Sequence, residues 1–408
     1  MLDIPRQLND PALAPVWLAA SQCSPPITAA DIERLRGLAP TVAPEIIGQV
    51  ITQAQLRNQA CEQLGPMAAE LFFTESGLQQ STNWVVAQRR ASLIAAQGRT
   101  HVTDLGCGIG IDSLAFIDSG LTVSAVELDP FTATIAQANV TVGAASSTAQ
   151  SNTVVAGDLR KFLLDPSSAV FVDPARRDGQ RRLMKPDRWL PPWSWVAAAS
   201  RRHPALVAKV APGIPHRELP EGAAVEHVSV NGGLAETTVW FPGLRADLPT
   251  RSAVMITTGE QQPWALEELT VISSNEPHRL ATDGPLLDWL VEPDAAVIRS
   301  GLVAELAEQI NGHLVSPGIA YITCADEPAT TSGRVFRVAE VLPAKPKPLR
   351  AALRQRGVGS ATIRTRGLAL DPDAFRKLLQ LPGGTPTVEL VLTRLNGKAA
   401  ALLVTPQP

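Results

Sequence analysis

The sequence predicts an α/β sandwich: a seven-stranded, mainly parallel sheet with crossover helices, preceded by a helical region and followed by a basic α+β module. Three observations carry that prediction. The chain has 408 residues, beyond the roughly 250–300 at which one hydrophobic core stops growing, so more than one domain is expected. From residue 101 onward, short β-branched runs alternate with helix-length segments, the rhythm of βαβ units. Charge is also segregated. Residues 176–202 hold 8 basic and 2 acidic side chains and residues 341–408 hold 11 and 3, whereas residues 1–175 hold 9 and 16 and residues 203–340 hold 8 and 18. A formal net charge of −3 therefore conceals two basic islands on an acidic body, an asymmetry that points to a polyanionic partner.

The first hundred residues read as helices. Thr28 caps a helix start with Asp31 three positions on, residues 52–64 are good helix formers stopped by Gly65-Pro66, and a third helix runs from Ser81 to Gln97 before Gly98. Arg89 and Arg90 are assigned to an exposed face of that third helix. Five strands follow: His101–Leu105, Leu121–Val126, Thr153–Val155, Ala169–Val172 and Ala205–Val210. Most are separated by room for a crossover helix, which makes them parallel. Ala224–Val230 and Thr237–Phe241 stand only a few residues apart around Asn231-Gly232-Gly233 and read as an antiparallel hairpin closing the sheet. After Pro242-Gly243 comes an acidic region of mixed signals, helical in parts between Gly284 and Asn311, with a strand at Gly318–Cys324. Pro343-Ala-Lys-Pro-Lys-Pro348 reads as a stiff hinge. Beyond it, helices at Leu349–Arg356 and Asp371–Leu379 combine with strands at Ala361–Thr365, Thr387–Arg394 and Ala399–Thr405, the last two joined by an Asn396-Gly397 turn. The expected domains are thus 1–97 helical, 98–245 α/β core, 246–342 acidic α+β connection and 343–408 basic α+β module.

Composition excludes several classes. Hydrophobic residues make up 45% and charged residues 18%, which supplies a core and excludes wholesale disorder. Aromatics are 4% with one tyrosine, Tyr321, which argues against an aromatic-lined sugar or choline site. No run approaches the ~18 apolar residues of a membrane span, and the N-terminus lacks the basic patch and apolar core of a signal peptide. Cys23, Cys61, Cys107 and Cys324 stand far apart, with no CxxC pair and no histidine at metal-ligand spacing, so neither a zinc site nor a disulfide framework is expected. A reduced, cytoplasmic protein without metal or membrane partner is the expectation.

The sharpest motif is Asp104-Leu-Gly106-Cys-Gly108-Ile-Gly110, running off a strand into a helix. Alternating glycines let the backbone turn tightly and approach a ligand, and the helix N-terminus presents free N–H groups. A dinucleotide fold wants its third glycine at position 111, where this chain has Ile111. Asp104, two residues before the first glycine, repels a pyrophosphate but suits a cationic or amino-bearing ligand. Glu127 ends the second strand, where a carboxylate can accept from two ribose hydroxyls, and Asp129-Pro130 reads as a helix cap. Asp158 follows the third strand and Asp173-Pro174-Ala175-Arg176 follows the fourth. Carboxylates thus fall at the C-terminal ends of four successive strands, where open α/β sheets build their sites.

In this order and spacing, these residues resemble a Rossmann-like class I S-adenosylmethionine-dependent methyltransferase over residues 98–242. More closely, the chain resembles bacterial methyltransferases carrying a C-terminal THUMP-like domain, through Leu71-Phe-Phe-Thr-Glu-Ser-Gly-Leu78, Asp173-Pro-Ala-Arg-Arg177, Ala208-Lys-Val-Ala-Pro-Gly213, Glu292-Pro-Asp-Ala-Ala-Val-Ile-Arg299 and Thr362-Ile-Arg-Thr-Arg-Gly367. The resemblance implies a class I sheet, S-adenosylmethionine as cofactor and RNA as partner. It assigns Asp104, Gly106, Cys107, Gly108 and Gly110 to the methionine half and Glu127, Leu128, Asp158 and Leu159 to the nucleoside. Asp173, Pro174 and Arg176 are assigned to the methyl acceptor. Related nucleotide-directed enzymes carry Asp or Asn, two prolines and an aromatic; Ala175 and Arg176 depart from that pattern, which sets base N-methylation in question and leaves oxygen or carbon targets open. For phosphate contacts the basic islands offer Arg177, Arg181 and Arg182, followed by Lys185, Arg188 and three tryptophans (Trp189, Trp193, Trp195), and, in the C-terminal module, Lys345, Lys347, Arg364 and Arg366. The competing readings are a solvated loop over core tryptophans, a methyltransferase of protein or small metabolites, and a binding module without catalysis.

Overall fold

The computed structural model describes residues 4–407 apart from 146–151, 176, 179–180, 183–184, 212, 216–217 and 245–246. The chain forms two compact units, one of residues 1–224, 236–248 and 257–268, the other of 225–235, 249–256 and 269–408.

The first unit opens with six helices: α1 (Ile4–Leu8), α2 (Ala14–Ser21), α3 (Ala29–Leu38), α4 (Pro44–Leu64), α5 (Glu75–Gln80) and α6 (Trp84–Ala96). Thr28 and Asp31 form the expected capping box on α3. Helix α4 extends the expected 52–64 segment back to Pro44, which sits at a first-turn position where its missing N–H is harmless. Its buried Ile47, Val50, Ile51 and Ala54 recur at helical spacing and join a core shared with the sheet.

Then come β1 (His101–Leu105), α7 (Ile111–Asp118), β2 (Thr122–Glu127), α8 (Pro130–Ala145), β3 (Thr153–Ala156), β4 (Ala169–Val172), the short pair β5 (Arg177–Asp178) and β6 (Arg181–Arg182), α9 (Trp193–Arg202) and β7 (Leu206–Val210). Strands β8 (Ala224–Val230) and β9 (Gly233–Trp240) follow as a hairpin turning at Asn231 and Gly232, both with positive φ. Order across the sheet is β3-β2-β1-β4-β7-β9. The pairs among β3, β2, β1, β4 and β7 are parallel, and β9 runs antiparallel to β7. With β8 as the hairpin neighbour of β9, these seven strands stand in the Rossmann-like order expected of a class I methyltransferase, and beyond β8 the same sheet continues into two further strands. Strand β4 is wholly buried and β7 likewise, as expected for strands covered on both faces. Trp189 and Trp193 are buried against Val172 and Phe241, so the tryptophans that follow the basic run are core residues.

The second unit contains two strands the sequence reading passed over, β10 (Arg251–Thr258) and β11 (Leu266–Ser274). Strand β10 pairs in parallel with β8. The rest is an α+β module: β12 (Trp289–Pro293), α10 (Ala295–Ser300), α11 (Val303–Gln309), β13 (His313–Leu314), β14 (Ile322–Cys324), β15 (Gly333–Pro343), α12 (Pro346–Gln355), β16 (Ser360–Thr365), α13 (Pro372–Leu379), β17 (Thr387–Leu395) and β18 (Lys398–Pro406). Its seven strands stand in the order β13-β14-β12-β15-β18-β17-β16. Leu349 and Leu353 of α12 and Phe375 and Leu379 of α13 pack on Leu390, Leu392 and Ala401.

The stretch expected as a hinge is corrected. Pro343 ends β15, which pairs with β12 on one side and β18 on the other, and Pro346 opens α12. The prolines mark a strand-to-helix turn inside one sheet: Pro tolerates a strand end and favours the first helical turn, where no N–H is needed. Among the described residues no helix is long and apolar enough to cross a membrane.

Candidate active site

The glycine turn leaves β1 with Gly106, Gly108 and Gly110 all at positive φ (88°, 55° and 86°), a region that side chains other than glycine rarely adopt. The Gly106 and Cys107 N–H groups both donate to the Val126 carbonyl, at 2.9 and 3.1 Å, which ties the turn to the end of β2. A Cβ on Gly106 would lie 3.3 Å from the Asp173 carbonyl oxygen, a contact tight enough to force the two strand ends apart by a few tenths of an ångström. Gly110 caps α7 and packs against Ala136 of α8.

A cavity of about 420 Å³ opens at these strand ends. Its floor is the turn from Gly106 to Ile109 with Asp104 and Asp112; Glu127 stands on one side, and Asp173, Pro174 and Lys209 on another. The third wall is the segment from Thr74 to Thr82, within and beyond the Leu71–Leu78 motif. Local bonds hold that wall in place. Thr74 caps α5 by accepting from the Gly77 N–H at 3.0 Å. The Asn139 side chain of α8 accepts from the Phe72 N–H at 2.7 Å and donates to the carbonyls of both Phe72 and Ile109, so one buried amide pins the wall to the glycine turn.

Glu127 accepts from the Gly108 N–H through Oε2 and from the Asp129 N–H through Oε1, each at 3.0 Å. Both oxygens retain lone pairs for a further donor. Asp129 caps α8, accepting from the N–H and hydroxyl of Thr132. Asp104 is fully buried; its Oδ2 accepts from the Ser113 hydroxyl at 2.6 Å, and its Oδ1 has no hydrogen-bond partner among the described residues. Burial, followed by the neighbouring Asp112 charge, pushes the Asp104 carboxyl up to about 8.

Beneath the cavity lies a chain of buried charges that the sequence reading missed. Lys209 of β7 donates to Asp173 Oδ2 at 2.7 Å and to the Thr82 hydroxyl at 2.8 Å. Thr82 in turn donates to Asp112 Oδ2 at 2.6 Å. Arg90 bonds Asp112 through one guanidinium nitrogen and Glu236 Oε1 through the other, and its guanidinium lies 4.6 Å over the Phe171 ring. Arg90 is therefore no exposed helix face: 2% accessible, it is among the most buried large side chains here. Burial raises the Asp112 carboxyl, but Arg90, Lys209 and the Thr82 hydroxyl outweigh it and hold the group below its ordinary value. Burial likewise works against the Lys209 ammonium, yet Asp173, Asp112 and Glu236 raise it above normal. Two signals were available. Arg90 shares the helical spacing of buried Ala87, Ala91 and Ile94, and Lys209 interrupts the apolar run Leu206-Val-Ala-Lys-Val210.

The remaining candidate residues divide. Asp104, Gly106, Cys107, Gly108, Glu127, Asp173 and Pro174 line the cavity. Burial, then Asp104 and Glu127, push the Cys107 thiol well above its normal value, so it stands as a neutral wall. Gly110 lies just behind the lining, Leu128 is exposed and Leu159 packs beside the buried cluster of Val126 and Val172. Asp158 caps a short helical turn and is paired with Arg160 at 2.7 Å; the hydrogen bonds from Arg160 hold its carboxyl down at about 2. Arg176 lies outside the described residues, and Arg177, Arg181 and Arg182 are described only as backbone of β5 and β6. In the second unit, Lys345 and Lys347 are exposed at the start of α12. Arg364 and Arg366 are half-buried, bonded to Glu292 at 3.3 and 3.4 Å, with their guanidinium groups over Phe336 and Tyr321.

Comparison with known proteins places this geometry. Residues 333–406 match the family described as THUMP domain-like. A protein of Mycobacterium tuberculosis, present in strains CDC 1551 / Oshkosh and H37Rv and named as an uncharacterized S-adenosylmethionine-dependent methyltransferase, is 32% identical over 351 residues, 84% of this chain and 91% of the relative. The crystal structure of a Porphyromonas gingivalis W83 protein described as a methyltransferase shares the fold, with a TM-score of 0.74 at 20% identity over 97% of this chain and 98% of that one. The cavity fits the cofactor that these names imply. The buried, unpartnered Asp104 oxygen and the Glu127 carboxylate present acceptors to a ligand carrying ammonium and hydroxyl donors, and the space where a Cβ on Gly108 would sit is open. With that identity spread over nearly the whole chain, the protein belongs to the S-adenosylmethionine-dependent methyltransferases.

Proposed function

We propose that this methyltransferase acts on RNA. The observation that carries the reading is the joining, in one chain, of the cofactor-binding sheet to the THUMP domain-like residues 333–406, which overlap the basic segment 341–408 with its 11 basic and 3 acidic side chains. Exposed Lys347 and Arg354 of α12 and Arg376 and Lys377 of α13 suit phosphate contacts. Arg364 and Arg366, tied to Glu292, serve the module's interior instead.

The cofactor supplies, when bound, a methyl group on positively charged sulfur. Catalysis then rests on alignment more than on acid–base machinery, since an in-line displacement gains most from holding its partners at attack distance. In this reading Asp104 and the Gly106–Gly110 turn hold the methionine half, with Cys107 as wall. Glu127 accepts from the ribose hydroxyls, and Leu128, Asp158 and Leu159 flank the adenine. Asp173 and Pro174, beside Gly106, meet the methyl acceptor together with Arg176. The test is to incubate the enzyme and methyl-labelled S-adenosylmethionine separately with total bacterial RNA, total protein and a small-metabolite extract. Label in RNA supports the reading; label confined to protein or metabolites overturns it.

A further inference from the structure

The sequence motif around Asp173 assigned that carboxylate to the methyl acceptor but left the acceptor's chemistry open, and the proposed role took no account of Lys209. The structure couples the two. Lys209 Nζ carries three N–H donors. One goes to Asp173 Oδ2 and one to Thr82 Oγ1, and the third has no acceptor among the described residues. Asp173 Oδ1, likewise, has no donor among the described residues, and its side chain is 24% accessible. Both residues line the cavity. Side by side, therefore, they offer an incoming group one free anionic acceptor and one free cationic donor.

Among the described residues lining this cavity, Lys209 is the only cation, against Asp104, Asp112, Glu127 and Asp173. The polar lining residues Ser76, Gln79, Gln80 and Ser81 carry no charge. An acceptor bearing its own negative charge at the reacting end is poorly matched to such a site. A neutral planar edge with a donor beside an acceptor is well matched.

We propose that the Asp173–Lys209 pair selects a lactam edge, a ring N–H beside a carbonyl oxygen, as the methyl acceptor, which within RNA means guanine or uracil. This inference rests on the RNA reading given above. Asp173 Oδ1 accepts the ring N–H and Lys209 donates to the carbonyl oxygen. Transfer forms the N–CH3 bond and breaks the S–CH3 bond, whose electron pair stays on sulfur. Asp173 takes the ring proton, and the electron pair that proton leaves behind forms the new bond to carbon. Negative charge developing on the N–C=O unit is stabilised by the ammonium already fixed at the oxygen, the logic of an oxyanion hole. Adenine and cytosine can satisfy the same two hydrogen bonds, but attack by their amino nitrogen develops positive charge beside Lys209, which opposes it.

The experiment uses the full-length enzyme, methyl-tritiated S-adenosylmethionine and total RNA from cells lacking this gene, followed by digestion to nucleosides and chromatography. Label in ring-N-methylated guanosine or uridine is expected; label in these nucleosides at carbon, at the exocyclic amine or on the ribose overturns the lactam assignment. Label in adenosine or cytidine leaves the RNA reading standing and overturns the lactam assignment, whereas absence of label from all RNA overturns both. Lys209→Met is compared in parallel, with S-adenosylhomocysteine binding by calorimetry as the readout of fold and cofactor site. Loss of kcat by about 10²–10³-fold, the scale of one removed oxyanion donor, with S-adenosylhomocysteine affinity within about twofold is expected. A kcat within about threefold of wild type overturns the role of Lys209. If Lys209→Met binds no S-adenosylhomocysteine, the base labelled by the wild-type enzyme decides the proposal alone.

Discussion

Asp104 shows how a motif residue can be legible in sequence while its chemical state is not. The spacing of Asp104 before Gly106, Gly108 and Gly110 marks it as a ligand-facing acid, and the structure places it on the cavity floor. What the sequence hides is that burial and Asp112 push its carboxyl up to about 8. The consequence for stability has a definite sign. Below about pH 4 the folded and unfolded chains both hold the proton. As pH rises toward 8 the unfolded chain has lost it and the folded chain keeps it, so this residue's contribution falls across that window and stays lost above it. Asp104→Asn, which can still accept from Ser113, should escape this loss. Its melting temperature relative to wild type should rise between pH 5 and pH 9, by about 2–4 °C for each kcal/mol recovered. An offset identical at both pH values contradicts the account. Arg90 teaches the complementary lesson: its place on the buried stripe of α6 was visible in the spacing, but its partner Glu236 lies 146 residues away, and no local pattern reveals such a pairing.

At the scale of elements, the strongly periodic and strongly punctuated parts of the sequence were read well. The β1–β4 strand ends, the Thr28 and Asp371 helix caps and the Asn396-Gly397 turn depend on neighbours within a few residues, so local sequence encodes them. Strand β10 carries a legible buried apolar run, Ala253-Val-Met-Ile256, whereas β11 escapes sequence reading for a physical reason. Strand β11 is exposed along most of its length, with Glu267 and Glu268 side by side, and shows neither alternation nor an apolar run. Pro343 was misread because a cluster of prolines signals stiffness without saying what flanks it. The glycine turn supports a sharper prediction. Gly106→Ala forces a side chain into φ 88° and brings a Cβ to 3.3 Å from the Asp173 carbonyl. Stability should fall by about 1–2 kcal/mol, and S-adenosylhomocysteine affinity should fall by about tenfold or more as the two strand ends are pushed apart. Calorimetry and thermal melting check both; full affinity in a stably folded variant contradicts the close approach.

Across the whole molecule, the parallel pairing of strands in the sheet follows from the alternation of β-branched and helical segments, whereas the boundary of the C-terminal module does not. The sequence reading put that boundary at 343; strand β15 and the family match both begin at Gly333, and we propose the earlier boundary. The charge pattern predicted a polyanionic partner, but which basic residues face outward required the fold. Reversing charge at Lys347 and Lys377 should weaken RNA binding and lower the slope of log K against log salt by roughly 1 for each phosphate no longer neutralised. Arg366→Ala, which removes one of the two arginines paired with Glu292, should lower thermal stability more than RNA affinity. A filter-binding salt series separates these outcomes, and unchanged slope in the lysine variant contradicts the placement of the RNA surface on α12 and α13.

The measurement that tests the central claim most directly pairs two readings on Asp173→Ala: transfer of labelled methyl groups to RNA, and calorimetric binding of S-adenosylhomocysteine. Asp173 lines the cavity beside Gly106 of the glycine turn. The account predicts loss of transfer by at least about 10²-fold with cofactor-product affinity within a few-fold of wild type. Undiminished transfer in that variant contradicts it.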